Sequence, residues 1–258
     1  LLMNKKNILL LFANFFSLFW RLIPFKIREF LFTSLFIIES RGSSPKNSLK
    51  RIFIIKDKLE WIINERAIKY GNGIHPKHEV TTYHKFFLDR IYDGDTVLDV
   101  GCGNGTVAID IALNKKNSSI IGVDINSNNI AVANKLKNLF NLRNIKFITN
   151  NIIDQEKISC DTVILSNILE HIDSRNIFLN NIIERTSAKL FLIRVPLFER
   201  DWQVAFRKEI GSYYFSDPDH KIEHTLDEFK NEIKLSKLKI KEIFTIWGEI
   251  WASCENDK

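Results

Sequence analysis

A glycine-rich turn between a short apolar strand and a helix constrains the fold of this chain more than any other feature. Residues 96–100 form a short run of apolar, mostly β-branched side chains, which suits a strand buried on both faces. That run leads into glycines at positions 101, 103 and 105, where missing Cβ atoms allow a tight turn and a ligand's close approach. Residues 107–113 suit a helix, and a second buried strand at 120–123 ends at Asp124. The pattern predicts a parallel α/β unit.

Such a unit places backbone N–H groups at a helix N-terminus beside the Asp124 carboxylate, in the crevice where open parallel sheets bind ligands. A carboxylate there can accept hydrogen bonds from both hydroxyls of a ribose, so the crevice suits an adenosine. The glycines are spaced G-x-G-x-G, whereas a dinucleotide fingerprint requires G-x-G-x-x-G. No Lys-Ser/Thr pair follows them, so a P-loop is excluded as well.

The stretch VLDVGCGNG, with GVDIN following it, resembles the class I S-adenosylmethionine-dependent methyltransferases. The resemblance covers residues 70–254 and implies an enzyme whose cofactor is S-adenosylmethionine. It also implies an α/β, Rossmann-like fold, in which a doubly wound, mostly parallel sheet of seven strands ends in an antiparallel C-terminal hairpin. Two alternatives would explain the same turn. The protein could be a cofactor-binding scaffold without catalytic activity, or a nicotinamide-dependent oxidoreductase.

The resemblance further implies which residues hold the cofactor. They are Asp99, Gly101, Cys102, Gly103, Asn104, Asp124, Ile125, Asn151, Ile152 and Ser166. Asp99 is expected near the methionine amino group, Asp124 at the ribose and Ser166 beside the methyl group. The two isoleucines are expected against the adenine, with Asn151 at its edge. The family commonly has an acidic residue where this chain has Asn150 and Asn151, which weakens the adenine assignment.

Four histidines are the candidates for acceptor contact or proton removal: His75, His78, His171 and His220. The first two lie in residues 70–87, a loop that the resemblance makes a lid over the acceptor. Their H-x-x-H spacing has no Cys or acidic cluster to complete a metal site, so no metal is predicted. The alternative for this segment is a surface loop with solvated histidines.

His171 lies in SNILEHI, which resembles a segment found in a subset of small-molecule methyltransferases. Base-methylating enzymes have a different signature, Asp/Asn-Pro-Pro-aromatic. In one interpretation His171 is a base; in the other, Glu170 and His171 cap the following helix. His220 belongs to residues 197–225, a polar and aromatic insertion expected to cover the acceptor pocket.

Charge is distributed unevenly along the chain. The whole sequence has 37 Lys/Arg against 31 Asp/Glu, and residues 1–70 hold 13 of the former and only 5 of the latter. The remaining residues, with 24 basic and 26 acidic side chains, are slightly acidic. A nucleic-acid substrate would favour a basic catalytic face, so an RNA methyltransferase is the less favoured alternative.

Residues 1–69 are predicted to be an apolar and basic helical extension, and residues 70–258 the methyltransferase domain. Within the extension, residues 5–40 suit two amphipathic helices separated by Pro24, and residues 41–47 suit a linker. The apolar stretch at 8–20 is shorter than a membrane-crossing helix requires. Three interpretations remain: peripheral contact with a membrane, packing on protein, and a transmembrane span over residues 8–23 in which the Arg21 side chain reaches the membrane surface.

The predicted acceptor is a small molecule, a glycan precursor or a lipid-linked intermediate. Three cysteines without a C-x-x-C pair suit a reducing compartment, so a cytoplasmic protein is expected, in the membrane-binding interpretation at the inner face of the membrane. The sequence predicts no particular oligomeric state.

Overall fold

The computed structural model describes residues 5–42, 44–71, 75–154 and 156–256. The chain divides into two compact units, Leu1–Ala67 and Ile68–Lys258.

The described part of the first unit contains three helices, α1 (Lys5–Trp20), α2 (Phe25–Ser40) and α3, which begins at Pro45 and runs to Tyr70. The predicted linker at 41–47 is therefore too long, because proline is tolerated in the first turn of a helix and starts α3 early. Trp20 and Phe32 pack edge to face with ring centroids 5.7 Å apart, and Arg51 pairs with Glu39. None of the described helices is long and apolar enough to cross a membrane.

The second unit is a seven-stranded sheet with helices on its faces. Its strands are β1 (Thr96–Val100), β2 (Ser119–Asp124), β3 (Ile145–Thr149), β4 (Thr162–Ser166), β5 (Leu190–Pro196), β6 (Leu238–Ile246) and β7 (Glu249–Asn256). Its helices are α4 (Lys77–Val80), α5 (His84–Leu88), α6 (Thr106–Asn114), α7 (Ser127–Leu139), α8 (Arg175–Arg185), α9 (Trp202–Glu209) and α10 (Leu226–Leu235).

The strand order is β3-β2-β1-β4-β5-β7-β6. Strands β1 to β5 are parallel to one another. β7 runs antiparallel to β5, and β6 runs antiparallel to β7. The predicted doubly wound, mostly parallel sheet with an antiparallel C-terminal hairpin is confirmed. The order reverses between β1 and β4, which places a crevice at the carboxyl ends of these two strands.

Alternate residues of the central strands fill two separate cores, one on each face of the sheet. Val97 and Ile164 belong to one core, whereas Leu98 and Val163 belong to the other. All four are fully buried. Because a parallel sheet covered by helices on both faces needs apolar residues at successive positions, the short apolar runs of the sequence predicted these strands correctly.

Helix N-termini explain the remaining local differences. At α10, Thr225 and Glu228 form a capping box. At α7 the N-cap is Asn126 and not the neighbouring Ser127, because the Asn126 side chain accepts a hydrogen bond of 2.9 Å from the backbone N–H of Asn128. Asparagine and serine cap equally well, so sequence preference alone does not choose between neighbours.

Candidate functional site

The turn after β1 requires glycine at Gly101 because of two constraints. Its φ angle is +66°, a left-handed conformation that side chains disfavour. A Cβ atom there would also lie 2.0 Å from Cδ1 of Ile168, in the segment that follows β4. The turn is fixed to the next strand, since the Gly101 N–H donates to the carbonyl of Val123 over 2.7 Å. The backbone of the turn thus lies directly against residues from both neighbouring strand ends.

Gly103 borders open space. Its φ angle is +55°, and a Cβ atom built there would meet no atom within 4 Å. Its N–H donates a hydrogen bond of 2.8 Å to Oδ2 of Asp124, while the N–H of Asn126 donates to Oδ1 over 2.8 Å. Two backbone donors therefore hold the Asp124 carboxylate in place. A carboxylate has about four acceptor positions, so it can still accept from the hydroxyls of a ligand.

Asp99, in β1, is a buried carboxylate with an unsatisfied oxygen. The residue is 2% exposed, and Oδ2 has no hydrogen-bond partner among the described residues. Burial, helped by the nearby negative charge of Asp124, raises the pKa of Asp99 to about 7. An orphaned acceptor of this kind is costly unless a donor meets it. A ligand ammonium group fits that need, as S-adenosylmethionine would provide at its methionine end.

The residues predicted around the adenine have different environments. Ile125 is 78% exposed just beyond β2, whereas Ile152 is buried in a core. Asn151 is exposed, and its side-chain oxygen accepts a hydrogen bond of 3.2 Å from the N–H of Ile153. One acceptor position of that amide is therefore already in use. The exposed side chain of Ile125 is available to an aromatic ring.

Two further predicted cofactor residues lie in the turn after β1. The thiol of Cys102 packs over β2, since a Cβ at Gly122 would lie 2.9 Å from its sulfur, and burial raises the pKa of this thiol. The side chain of Cys102 therefore serves packing, and its backbone belongs to the turn. Asn104 is exposed at the tip of the turn.

Arg194 is a buried cation that the sequence analysis did not single out. It pairs with Ser166 in the register of β4 and β5, and its Nη1 lies 3.4 Å from the Ser166 hydroxyl. Its guanidinium forms a two-pronged ion pair with Glu249, with Nε 2.6 Å from Oε2. Its Cζ lies 4.2 Å from the ring centroid of Tyr83 and 5.0 Å from that of Trp251. Arg194 thus holds Glu249, Tyr83 and Trp251 together beside Ser166 at the end of β4.

His171 and His220, two of the predicted histidines, lie together although they are far apart in the sequence. Their ring centroids are 4.7 Å apart in an edge-to-face arrangement. Glu170 lies with them, and ligand atoms of the three side chains are all within 4.8 Å of one another. The helix α8 has its N-cap at Ser174, so the alternative that Glu170 and His171 cap that helix is wrong. Both belong instead to a single tight turn after β4.

Glu170 is the second residue that sequence reasoning missed. It is fully buried, and burial raises the pKa of its carboxyl to about 7. His220 is also buried; desolvation lowers its pKa, but the nearby carboxylates of Glu223 and Glu170 outweigh it and raise the pKa overall. The signal that could have identified Glu170 is its position between Leu169 and Ile172 at the end of a buried strand.

His75 and His78, the other two predicted histidines, lie in a separate loop. The backbone N–H of Lys77 donates to Nδ1 of His75 over 3.1 Å, and the His78 ring lies 5.1 Å from that of Tyr83. Burial and neighbouring cations lower the pKa of His78 to about 4, which makes it a weak base. Residues 72–74 of the predicted lid lie outside the described residues, and Tyr83 connects this loop to Arg194 through the ring contact noted above.

Comparison with known proteins agrees with this geometry. A family model described as a methyltransferase domain matches residues 91–248. The chain is 26% identical over 121 residues to a probable (S)-tetrahydroprotoberberine N-methyltransferase 2 of Papaver bracteatum, which covers 43% of this chain and 34% of that protein. It is 34% identical over 98 residues to a ribosomal protein L11 methyltransferase of Thermotoga petrophila, covering 38% and 34% of the two chains.

A solved structure has the same fold. Magnesium protoporphyrin IX methyltransferase from Synechocystis PCC 6803 with bound S-adenosylhomocysteine superposes with a TM-score of 0.57 at 16% identity, covering 74% of this chain and 86% of that one. The matches to the two curated relatives above span only about a third of their length.

Proposed function

This chain belongs to the methyltransferase-domain family and is a class I S-adenosylmethionine-dependent methyltransferase by fold and sequence, and from that premise we propose that it methylates a small-molecule acceptor. The observation that carries the cofactor part of the proposal is the open space at Gly103 beside the oriented carboxylate of Asp124 and the orphaned oxygen of Asp99. A ribose and an ammonium group satisfy these two carboxylates at once.

The proposed roles follow from the placement of each side chain. Asp124 accepts from the ribose hydroxyls, Asp99 faces the ammonium group, and the N–H groups of the turn after β1 approach the methionine end. Ile125 covers the adenine. When bound, S-adenosylmethionine supplies a methyl group that its sulfonium charge already activates. The chain therefore contributes mainly orientation and exclusion of water.

The acceptor is proposed to lie beside His171 and His220. Residues 167–171 follow β4 and approach the glycine turn through Ile168, and this contact supports a position of His171, with His220 beside it, near the methyl-transfer crevice. Contact of His75 and His78 with the acceptor, from the predicted lid at residues 70–87, stays a prediction. Residues 70–258 are proposed as the catalytic domain and residues 1–69 as its extension.

Two observations support a small molecule over a macromolecule. The Papaver bracteatum relative is named for a small alkaloid, and residues 71–258 carry no basic excess that would attract nucleic acid. The Thermotoga petrophila relative is named for a ribosomal protein, which makes protein methylation the second candidate.

The test is a screen of fractionated cell extract with methyl-labelled S-adenosylmethionine and the full chain. We expect label in a low-molecular-mass fraction, aqueous or lipid-extractable, and none with an Asp124→Ala variant. Label that appears only in protein or RNA would overturn the small-molecule proposal. Calorimetric titration with S-adenosylhomocysteine tests the cofactor separately, and stabilisation by NAD(H) instead would overturn it.

We also propose that residues 5–40 contact the surface of a membrane that contains anionic lipid, with a cytoplasmic protein as the setting. Large apolar side chains of α1 and α2 are exposed, among them Phe15, Phe19 and Phe30, and α2 has no buried residue. Basic residues lie between them, so apolar burial and attraction to headgroups act together.

A further inference from the structure

The cluster of Glu170, His171 and His220 has the composition of a cation site. Two imidazoles and one carboxylate converge from two segments that are distant in the sequence, the turn after β4 and the insertion after β5. Donor atoms around a cation with bonds of about 2.1 Å are at most about 4.2 Å apart, so the observed spread within 4.8 Å needs only a small contraction.

The carboxylate of Glu170 has no other partner among the described residues. The side chain is fully buried, and neither Oε1 nor Oε2 accepts a hydrogen bond. The nearby guanidinium of Arg194 is already engaged in its two-pronged pair with Glu249. Burial without a partner destabilises an ionised carboxylate, and a bound cation removes this destabilisation by supplying the missing positive charge.

Each histidine has a carboxylate behind it. Nδ1 of His220 lies 3.1 Å from Oε1 of Glu223, and Nδ1 of His171 lies 3.3 Å from Oδ2 of Asp219. A hydrogen-bonded carboxylate such as that of Glu223 fixes the orientation of a metal-binding imidazole and makes it a better ligand. For His220 this leaves Nε2 as the nitrogen that can coordinate, whereas Nδ1 of His171 makes no hydrogen bond within the described residues and has only the nearby negative charge of Asp219.

We propose that Glu170, His171 and His220 bind one divalent cation of the transition-metal type, such as Zn²⁺, Mn²⁺, Fe²⁺ or Co²⁺. Two imidazole ligands favour these ions over Mg²⁺ and Ca²⁺, which prefer oxygen. The sequence predicted no metal because the only spacing that suggested one was the H-x-x-H at His75 and His78. Glu170 and His220 are far apart in the sequence, so their pairing is not visible there.

Three protein ligands leave coordination positions open. If the proposed function holds, an acceptor hydroxyl occupies one of them, where the cation makes it more acidic. Its proton passes to solvent, its oxygen forms a bond to the methyl carbon, and the carbon–sulfur bond breaks with its electron pair going to sulfur. The products are a methyl ether and neutral S-adenosylhomocysteine. The inference therefore selects oxygen acceptors.

The test uses the full chain without a histidine tag, stripped with a chelator and titrated with Co²⁺. Equilibrium dialysis with metal analysis measures stoichiometry, and the visible spectrum of bound Co²⁺ reports nitrogen and oxygen ligands. We expect one ion per chain, and at least tenfold weaker binding in both Glu170→Gln and His171→Asn variants. The matched control is His84→Asn, which removes a histidine paired with Asp110 at 2.9 Å outside the cluster.

Circular dichroism before cobalt addition confirms that each variant is folded, and the two substitutions guard against loss of one variant. Equal cobalt affinity in wild type and both folded variants would overturn the cation site, as would the absence of binding to wild type. Titration with S-adenosylhomocysteine in parallel separates this failure from failure of the proposed function, because Asp99, Gly103 and Asp124 are not in the cation cluster.

Discussion

The backbone N–H of Gly103 donates a hydrogen bond of 2.8 Å to the carboxylate of Asp124, and this bond joins the ends of β1 and β2. The N–H of Asn126 holds the other oxygen over 2.8 Å, so the carboxylate is oriented by backbone that the strands themselves position. A ligand ribose therefore meets an acceptor that needs no rearrangement. Preorganisation of this kind improves affinity by reducing the entropy lost on binding.

Replacing Asp124 with alanine should weaken the binding of S-adenosylhomocysteine by roughly two to four orders of magnitude, because two hydrogen bonds are lost. Hydrogen bonds to a charged group contribute roughly 1.5–3 kcal/mol each, and the variant loses those to the ribose. Isothermal titration calorimetry measures the change. The control Asp227→Asn alters an exposed carboxylate in the first turn of α10 and should bind as wild type does. Unchanged affinity in Asp124→Ala would remove Asp124 from the ribose site.

Two glycine substitutions should separate ligand approach from packing. Gly105→Ala would place a Cβ 2.6 Å from Cζ of Phe147, so we expect a loss of roughly 1–3 kcal/mol in the free energy of unfolding. The Cβ atom of Gly103→Ala would meet no atom within 4 Å, so only its positive φ angle lowers the free energy of unfolding, by about 1–2 kcal/mol. The same Cβ atom would fill the space that the cofactor needs. Thermal denaturation with and without S-adenosylhomocysteine tests both. Ligand-induced stabilisation that persists in Gly103→Ala would contradict the assignment.

The stability of the metal-free protein should fall as pH rises from about 4.5 to 7, partly because of Glu170. Burial raises the pKa of Glu170 from its ordinary value of 4.5 to about 7, so in this range the folded protein retains a proton that the unfolded chain has lost. Well above pH 7 the penalty is complete, roughly 3–4 kcal/mol at about 1.4 kcal/mol per pKa unit.

Glu170→Gln removes that penalty and should raise the melting temperature at pH 8 but hardly at pH 4.5. Chelator is present throughout, so that cation binding does not compensate the wild type. Asp99 titrates in the same direction in both proteins, and its contribution cancels in the difference. An equal shift of the melting temperature at both pH values would show that Glu170 is not a buried, unpaired carboxyl.

Arg194→Met should destabilise the fold by about 3–5 kcal/mol, because it leaves the mostly buried Glu249 carboxylate without its partner. The double variant Arg194→Met/Glu249→Gln removes both charges and should recover most of that loss. Chemical denaturation of the wild type, the single variants Arg194→Met and Glu249→Gln, and the double variant gives the coupling energy. A double variant as unstable as Arg194→Met would mean that contacts with Tyr83 and Trp251, not the charge pair, account for the effect.

The sequence predicted the sheet and the glycine turn after β1 because both depend on local patterns. Apolar runs mark the buried strands, and the glycine spacing marks a turn whose positive φ angles side chains disfavour. Arg194 and Glu170 escaped prediction because their roles depend on partners far away in the sequence. Arg194 becomes significant only when β7 brings Glu249 beside it, and Glu170 only when the insertion returns His220 to the end of β4.

Substitution of the aromatic side chains of α1 should abolish membrane contact if residues 5–40 bind lipid. Phe15 and Phe19 are each 61% exposed and lie one turn apart, with ring centroids 6.0 Å from each other. Burying each ring in the interface contributes roughly 1.5–3 kcal/mol, so Phe15→Asp/Phe19→Asp should reduce binding at least tenfold. Cosedimentation with vesicles that contain anionic lipid measures it. Ile177→Asp, an exposed apolar site on α8, is the control expected to bind normally. Equal cosedimentation of the double variant and the wild type would favour packing on protein as the role of these helices.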